Sequence, residues 1–319
     1  MGNGRPFRIL CLDGGGVRGL VAAVWLDALE RAAGRRVGEM FDLVAGSSTG
    51  AILAASVAAG RPAGEVAELY LTEAPKIFPG RFARFWDRLG RLFRQGLSAP
   101  RYDGEGLDRV LRRELGEDRF GDLPLKTLIT SYDAWEREPR IFKSWNPDHV
   151  DLPTWAVCRA SCSAPGYFPA MALKLKGRRR PLIDGGVVAN NPAACALAEG
   201  WRLCRAEGRD PSEILLASFG TGEATRPVTL AQAREWGPLE WALPIIGTLF
   251  DGASDAADYV VRQILDEDRY FRFQAELRGP DDDIDGAGRG NLEALYRFAT
   301  GYLQGRGGES MEKLLARLD

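Results

Sequence analysis

The sequence predicts an α/β fold with a mainly parallel central sheet covered by helices. Three observations carry the prediction. Strand, turn and helix patterns alternate twice within the first sixty residues, which is the signature of a βαβ unit. Glycine clusters punctuate the strand-to-helix turns. The composition, 45% hydrophobic and 27% charged over 319 residues, is that of an ordinary globular chain with a sizeable core.

Each element follows from local pattern. "FRILCL" (7–12) is a buried strand, and "LVAAVWLDALERAAG" (20–34) has helical apolar spacing and a closing glycine. "MFDLVAGS" (40–47) is a second strand and "TGAILAASVAAG" (49–60) a second helix. Further strands are expected at 126–133, 139–145, 171–176, 180–184 and 213–222, and helices at 104–115, 192–206, 253–266, 290–304 and 309–318. No internal repeat, low-complexity segment or linker interrupts the pattern. A single domain over 1–319 is therefore expected, with a motif-bearing core at 7–200 and a remainder at 201–319 that completes the fold.

Bulk properties exclude several classes. The formal net charge is −2 and the basic residues are almost all arginine, so no global field favours nucleic acid. No run of about 18 apolar residues occurs, which argues against a spanning helix. The start, "MGNGRPFRILCLDGGG", enters a core strand directly, so no secretory signal is expected and a cytoplasmic location is. Five scattered cysteines in mostly apolar settings suit buried free thiols. A single histidine and no close cysteine pair leave little with which to build a zinc site.

"LDGGGVRGL" (12–20) places Gly14, Gly16 and Gly19 in the spacing of a dinucleotide-binding fingerprint. That reading also needs an acidic residue at the end of the second strand, whereas Asp42 stands at its start. In the alternative reading, the amides of Gly14, Gly15 and Gly16 form an oxyanion hole near a helix N-terminus. This reading is preferred, because a candidate nucleophile follows in the same βαβ unit. Ser48 lies in "GSSTG" (46–50), a Gly-x-Ser-x-Gly frame between strand and helix. Gly46 and Gly50 make room around the strained elbow that such a serine occupies.

A serine hydroxyl needs a base, and two candidates present themselves. His149, in "SWNPDHVDLP" (144–153), is hemmed by prolines and aspartates and reads as a surface loop residue. Asp184, in "RPLIDGGVVANNP" (180–192), closes a short strand at the rim where α/β sheets carry their sites, and Gly185 and Gly186 permit close approach. Asn191 stands as an N-cap before Pro192.

"LDGGGVRGL", "GSSTG", "RASCSAPGYFPA" (159–170), "LIDGGVVANNP" (182–192) and "SFGTGE" (218–223), in this order, resemble the patatin-like phospholipase family. "DGASDAADYVVRQIL" (251–265) extends the likeness toward plant patatins and their close bacterial relatives. The resemblance covers roughly 7–304 and implies a three-layer α/β/α sandwich. It further implies a Ser48–Asp184 dyad without histidine, an oxyanion loop of Gly14, Gly15, Gly16 and Arg18, and hydrolysis of acyl esters in membrane glycerolipids with neither metal nor other cofactor. Some bacterial relatives stay inactive until a cyclic nucleotide second messenger binds and then degrade membranes in phage defence. The resemblance therefore implies a cyclic nucleotide activator as a regulatory option, although these residues show no pocket for one. Acyl transfer to an acceptor other than water is the enzymatic alternative, and a non-catalytic nucleotide-binding module is the alternative of another class.

Transient membrane contact is expected from "RFARFWDRLGRLFRQGL" (81–97), where Phe85 and Trp86 stand at helical spacing beside an arginine stripe that includes Arg88. "KLKGRRRPL" (174–182) reads as a basic hairpin tip, and "WGPLEWALPIIGTLF" (236–250) as core or as the wall of an acyl pocket. "DDDIDGAGRGNLE" (281–293) begins like a calcium loop, but its twelfth position is Leu292, so an exposed acidic loop is expected.

Overall fold

The computed structural model describes residues 5–78, 100–223, 226–241 and 244–319. Eight strands form one sheet: β1 (Arg8–Leu12), β2 (Leu43–Ser47), β3 (Lys126–Asp133), β4 (Glu138–Lys143), β5 (Met171–Leu175), β6 (Arg178–Asp184), β7 (Leu215–Phe219) and β8 (Tyr270–Phe273). The order is β5-β6-β3-β2-β1-β7-β8, with β4 also on β3. The pairs from β3 through β2, β1 and β7 to β8 are parallel, whereas β4, β5 and β6 make an antiparallel margin.

Helices cover both faces, and the strands show why. On β1, Leu10 and Leu12 enter one apolar cluster while Ile9 and Cys11 enter another. On β7, Leu215, Ala217 and Phe219 join the first cluster and Leu216 the second. Successive side chains of a strand point to opposite faces, so a strand apolar at every position must be covered on both sides. Helices Gly19–Ala33 and Arg289–Leu303 close the first face, and Ala193–Ala206 packs on the second. The three-layer α/β/α architecture is the result. Trp25 is fully buried between the first two of these helices, and its indole N–H donates to Ala299 O at 2.9 Å.

The antiparallel margin fixes the site. β4 pairs along Leu128–Asp133 on one edge of β3. β2 pairs along Lys126–Thr130 and β6 along Ser131–Asp133, both of which fall on the opposite edge. Because β6 runs against β3, its C-terminal end meets the C-terminal end of β2. Ser47 lies opposite Thr130 and Asp184 opposite Ser131, the next residue. Two segments 136 residues apart thus converge head to head on one strand.

The structure adds elements that local pattern does not announce: helices Ala63–Ile77 and Thr154–Ser161, and strand β8. The helix expected at 253–266 begins earlier, running Pro244–Ile264 with proline at its first position. Among the described residues no helix is long and apolar enough to cross a membrane.

Candidate active site

Ser48 follows β2 directly and precedes helix Thr49–Ala58. Its φ of 50° lies in the region that side-chain-bearing residues avoid. Neighbouring contacts hold it there. The Ser48 N–H donates to Ser161 Oγ at 2.8 Å, and Ser48 O accepts from the Ala51 N–H at 2.9 Å. A Cβ on Gly46 would stand 2.2 Å from Gly50 O, and one on Gly50 would stand 2.2 Å from Leu12 O. The elbow is therefore closed to any side chain at either glycine.

The Ser48 hydroxyl donates to Asp184 Oδ2 at 2.8 Å, and the Gly186 N–H donates to Asp184 Oδ1 at 2.8 Å. Asp184 has no exposed surface and Ser48 is 7% exposed. Burial pushes the Asp184 carboxyl up to about 7, against the opposing pull of the Gly186 amide, the Ser48 hydroxyl and the Arg159 guanidinium. A carboxyl in that range gains and loses its proton near neutral pH.

The segment "RASCSAPGYFPA" braces this pair. Besides Ser161, Ser163 O accepts the Asp184 N–H at 3.1 Å and Ser161 O accepts the Gly185 N–H at 3.2 Å. Arg159, 3% exposed, donates to Asp108 at 2.5 Å and to Ser163 Oγ at 2.6 Å. Ser161 and Ser163, which stand in the sequence as part of a motif only, thus hold the backbones of Ser48, Asp184 and Gly185.

The glycine loop lies against Ser48. A Cβ on Gly14 would meet Asn190 Oδ1 at 2.2 Å and Ser48 Cβ at 2.9 Å. Gly14 donates its N–H to Asn190 O at 3.0 Å, while its own carbonyl accepts from Thr221 Oγ1 and Asn190 Nδ2. That amide is occupied by the fold. The Gly15 and Gly16 amides, by contrast, donate to none of the described residues. Gly16 has φ 59° and touches the backbone of Ile284, whose carbonyl accepts the Val17 N–H at 2.9 Å. Asp13, before the loop, is anchored by Arg272 at 2.6 Å. Arg18, after it, is 4% exposed and donates from Nε to Gly15 O at 3.4 Å.

An apolar cleft opens on Ser48 and Asp184, walled by Gly16, Val17, Ile52, Leu69, Tyr70, Ala74, Ile77, Leu107, Phe168 and Phe250. Phe250 is 3% exposed, so one end of the 236–250 stretch does line the cleft. Tyr70 is fixed by hydrogen bonds to the hydroxyl and carbonyl of Thr49, the residue after Ser48.

His149 departs from expectation. It is 7% exposed, packed edge-on against Phe142, and its Nδ1 accepts the Lys143 N–H at 3.1 Å. Burial, with Arg140 and Lys143 nearby, lowers its pKa to about 4. Lys143 pairs with Leu128, toward the start of β3 and away from Ser48. His149 is a buried structural residue rather than a surface one.

The remaining expectations divide. Phe85, Trp86 and Arg88, with the rest of 81–97, lie outside the described residues. The basic hairpin tip turns at Lys176 and Gly177 between β5 and β6. In the acidic loop Asp281 and Asp283 are exposed, Asp282 is buried with 9% exposure, and Arg226 forms ion pairs with all three. The five cysteines are free, all buried except the half-buried Cys195.

The patatin-like phospholipase family model matches residues 10–197. Patatin-like protein 2 of Arabidopsis thaliana is 30% identical over 99% of this chain and 85% of its own length. Patatin-like protein 1 of Oryza sativa subsp. indica is 31% identical over 92% and 80% respectively. Among solved structures, human GIVD cytosolic phospholipase A2 superposes with a TM-score of 0.51 at 11% identity. That likeness covers 98% of this chain but only 60% of the human chain, and it is a likeness of fold. The chain belongs to the patatin-like phospholipase family.

Proposed function

We propose that this member of the patatin-like phospholipase family hydrolyses fatty-acyl esters of membrane glycerolipids through a Ser48–Asp184 dyad and an acyl-enzyme. The observation that carries the reading is the 2.8 Å hydrogen bond from the Ser48 hydroxyl to a fully buried Asp184 at the head of an apolar cleft.

The geometry supports the following steps. Ser48 Oγ attacks the ester carbonyl as its proton passes to Asp184 Oδ2. The Gly15 and Gly16 amides, free of other acceptors among the described residues, receive the negative charge that develops on the carbonyl oxygen. Each such donor contributes roughly 3–4 kcal/mol to the transition state. Asp184 returns the proton to the leaving alcohol, then takes one from the water that releases the fatty acid. Base and oxyanion donors all come from the chain, so no metal ion takes part in these steps.

The cleft supports a long-chain substrate. An acyl chain drawn from a bilayer into water loses about 0.8 kcal/mol per methylene. Side chains such as Ile52, Leu69, Ile77 and Phe168 remove that cost by receiving the chain directly.

Labelling with a fluorophosphonate tests the dyad. Ser48→Ala abolishes labelling, Asp184→Asn slows it by about 10²–10⁴-fold, the range of general-base catalysis, and His149→Ala leaves it nearly intact. Equal damage from His149→Ala and Asp184→Asn refutes the dyad. Liberation of fatty acid from phospholipid in excess chelator, without added acceptor, tests both the metal-free chemistry and hydrolysis against acyl transfer.

A further inference from the structure

The glycine loop and helix Pro244–Ile264 wall a second cavity as well as the acyl cleft. Gly16, Val17 and Phe250 face the cleft, whereas Asp13, Arg18, Asp251 and Asp255 line a polar cavity of about 300 Å³ with Asn190 and Glu223. Three polar atoms there are buried without a partner among the described residues: Asp13 Oδ1, Asn190 Oδ1 and Arg18 Nη1. Asn190 cannot turn to relieve its oxygen, because its Nδ2 is committed to Gly14 O at 3.3 Å and Ser254 Oγ at 2.9 Å. Unsatisfied buried groups are costly to a fold, and a cavity that keeps them is suited to a ligand that would satisfy them.

Charge narrows the ligand. Asp13 is balanced by Arg272 at 2.6 Å, which leaves the carboxylates of Glu223, Asp251 and Asp255 around the single guanidinium of Arg18. Burial and neighbouring carboxylates raise the pKa of Asp251 and of Glu223, in the latter case through Asp255 and Glu276. A cationic group would relieve that repulsion, whereas an anion that carries no cationic group would add to it. Metal geometry is lacking here: among the described residues the one group of three or more histidine, cysteine or carboxylate side chains with ligand atoms within 4.8 Å of one another is Asp281, Asp282 and Asp283, and Arg226 already pairs with them. Unpartnered acceptors on Asp13 and Asn190 call for N–H donors, and the unpartnered donor on Arg18 calls for an acceptor.

We infer that the polar cavity binds an ammonium group carried beside an acceptor oxygen, the chemistry of an amino-alcohol phosphate. Two sources share that chemistry, the headgroup of the lipid being cleaved and a free small molecule. Only the headgroup source rests on the hydrolase reading above.

Calorimetric titration of O-phosphoethanolamine into the whole chain carrying Ser48→Ala tests binding without turnover. Binding at least tenfold tighter than that of glycerol 3-phosphate, which lacks the ammonium, is expected. Adding Asp251→Asn and Asp255→Asn should weaken it at least tenfold; both residues reach solvent at the cavity mouth and asparagine keeps their shape, so circular dichroism should show the fold retained. No binding, equal affinity for the two probes, or unchanged affinity in the carboxamide variant overturns the inference.

Hydrolysis separates the sources. With phosphatidylethanolamine and phosphatidylglycerol of matched chains in mixed detergent micelles, a headgroup subsite gives at least a tenfold preference for the amine lipid, lost in the carboxamide variant. A free effector instead raises cleavage of a p-nitrophenyl acyl ester with no lipid preference. If the unsubstituted chain cleaves no ester at all, the hydrolase reading fails while the calorimetry still decides the cavity.

Discussion

Replacing Asp184 by asparagine removes a titration whose size the structure fixes. Burial raises the carboxyl from 3.8 to about 7. As pH rises from about 4 to about 7, the unfolded chain gives up this proton while the folded chain keeps it, so stability falls by about 1.4 kcal/mol per pH unit. The stabilisation is complete below the unfolded value and gone above the folded one. The full span amounts to about 4 kcal/mol, of which about 3 kcal/mol falls between pH 4.5 and 8.5. Asparagine keeps the shape but presents one N–H₂ group to a pair of donors, the Ser48 hydroxyl and the Gly186 N–H. That mismatch costs a pH-independent 1–3 kcal/mol or so. Urea denaturation of both chains across this range should therefore show Asp184→Asn less stable at pH 4.5 and gaining about 3 kcal/mol on the native chain by pH 8.5. His149 titrates with the opposite sign: its stabilisation is present above pH 6.5 and is lost as pH falls toward about 4. It acts equally in both chains, so the difference between them isolates Asp184. A difference that stays constant across the range refutes a raised Asp184, and with it the claim that this carboxylate is a base tuned to neutral pH.

In the native chain kcat/KM should rise about tenfold per pH unit below 7 and level off above it, since the ionised carboxylate is the active form. Gly14→Ala forces a Cβ toward Asn190 Oδ1 and Ser48 Cβ, and should cut kcat at least about 100-fold, the scale on which a misplacement of about 1 Å acts, while circular dichroism shows the fold retained. Ser161→Ala strands the Ser48 N–H and removes a restraint on the strained elbow; it should lower stability by about 1–3 kcal/mol and reduce kcat with little change in KM. Ile52→Trp fills the cleft, so hydrolysis of long-chain nitrophenyl esters should fall far more than that of the acetate; a uniform loss across chain lengths counts against the cleft as the acyl site.

Legibility in the sequence followed the range of the interactions involved. β1, β2 and β7 announced themselves as apolar runs because both their faces are covered. Helix Thr154–Ser161 did not, because every one of its residues is buried and it offers no polar face to set a period. β8 is four residues long at the sheet's margin and gives almost no signal. Ser48 was legible from its flanking glycines, whose need for space is local. Asp184 was legible only as the end of a strand, since its meeting with Ser48 depends on β2 and β6 sharing one edge of β3. His149 misled because its prolines and aspartates describe the loop correctly, while its burial comes from Phe142 and the Lys143 amide, partners set by the fold. For the same reason no sequence pattern distinguishes the Gly14 amide, taken by Asn190 O, from those of Gly15 and Gly16.

The head-to-head ending of β2 and β6 also explains why a histidine has no place here. With the hydroxyl and carboxylate already in contact at 2.8 Å, an imidazole cannot stand between them. In a triad the imidazole brings a pKa near 6.5 of its own, and the carboxylate behind it can remain an ordinary acid. In a dyad the carboxylate must itself reach that range, and burial is the means this fold offers. Loss of stability at neutral pH and competence of the base are then two readings of one desolvation. A substitution that admits water to Asp184 should lower its pKa, stabilise the chain above pH 7 and slow the reaction together; stabilisation without slowing would separate what the structure joins.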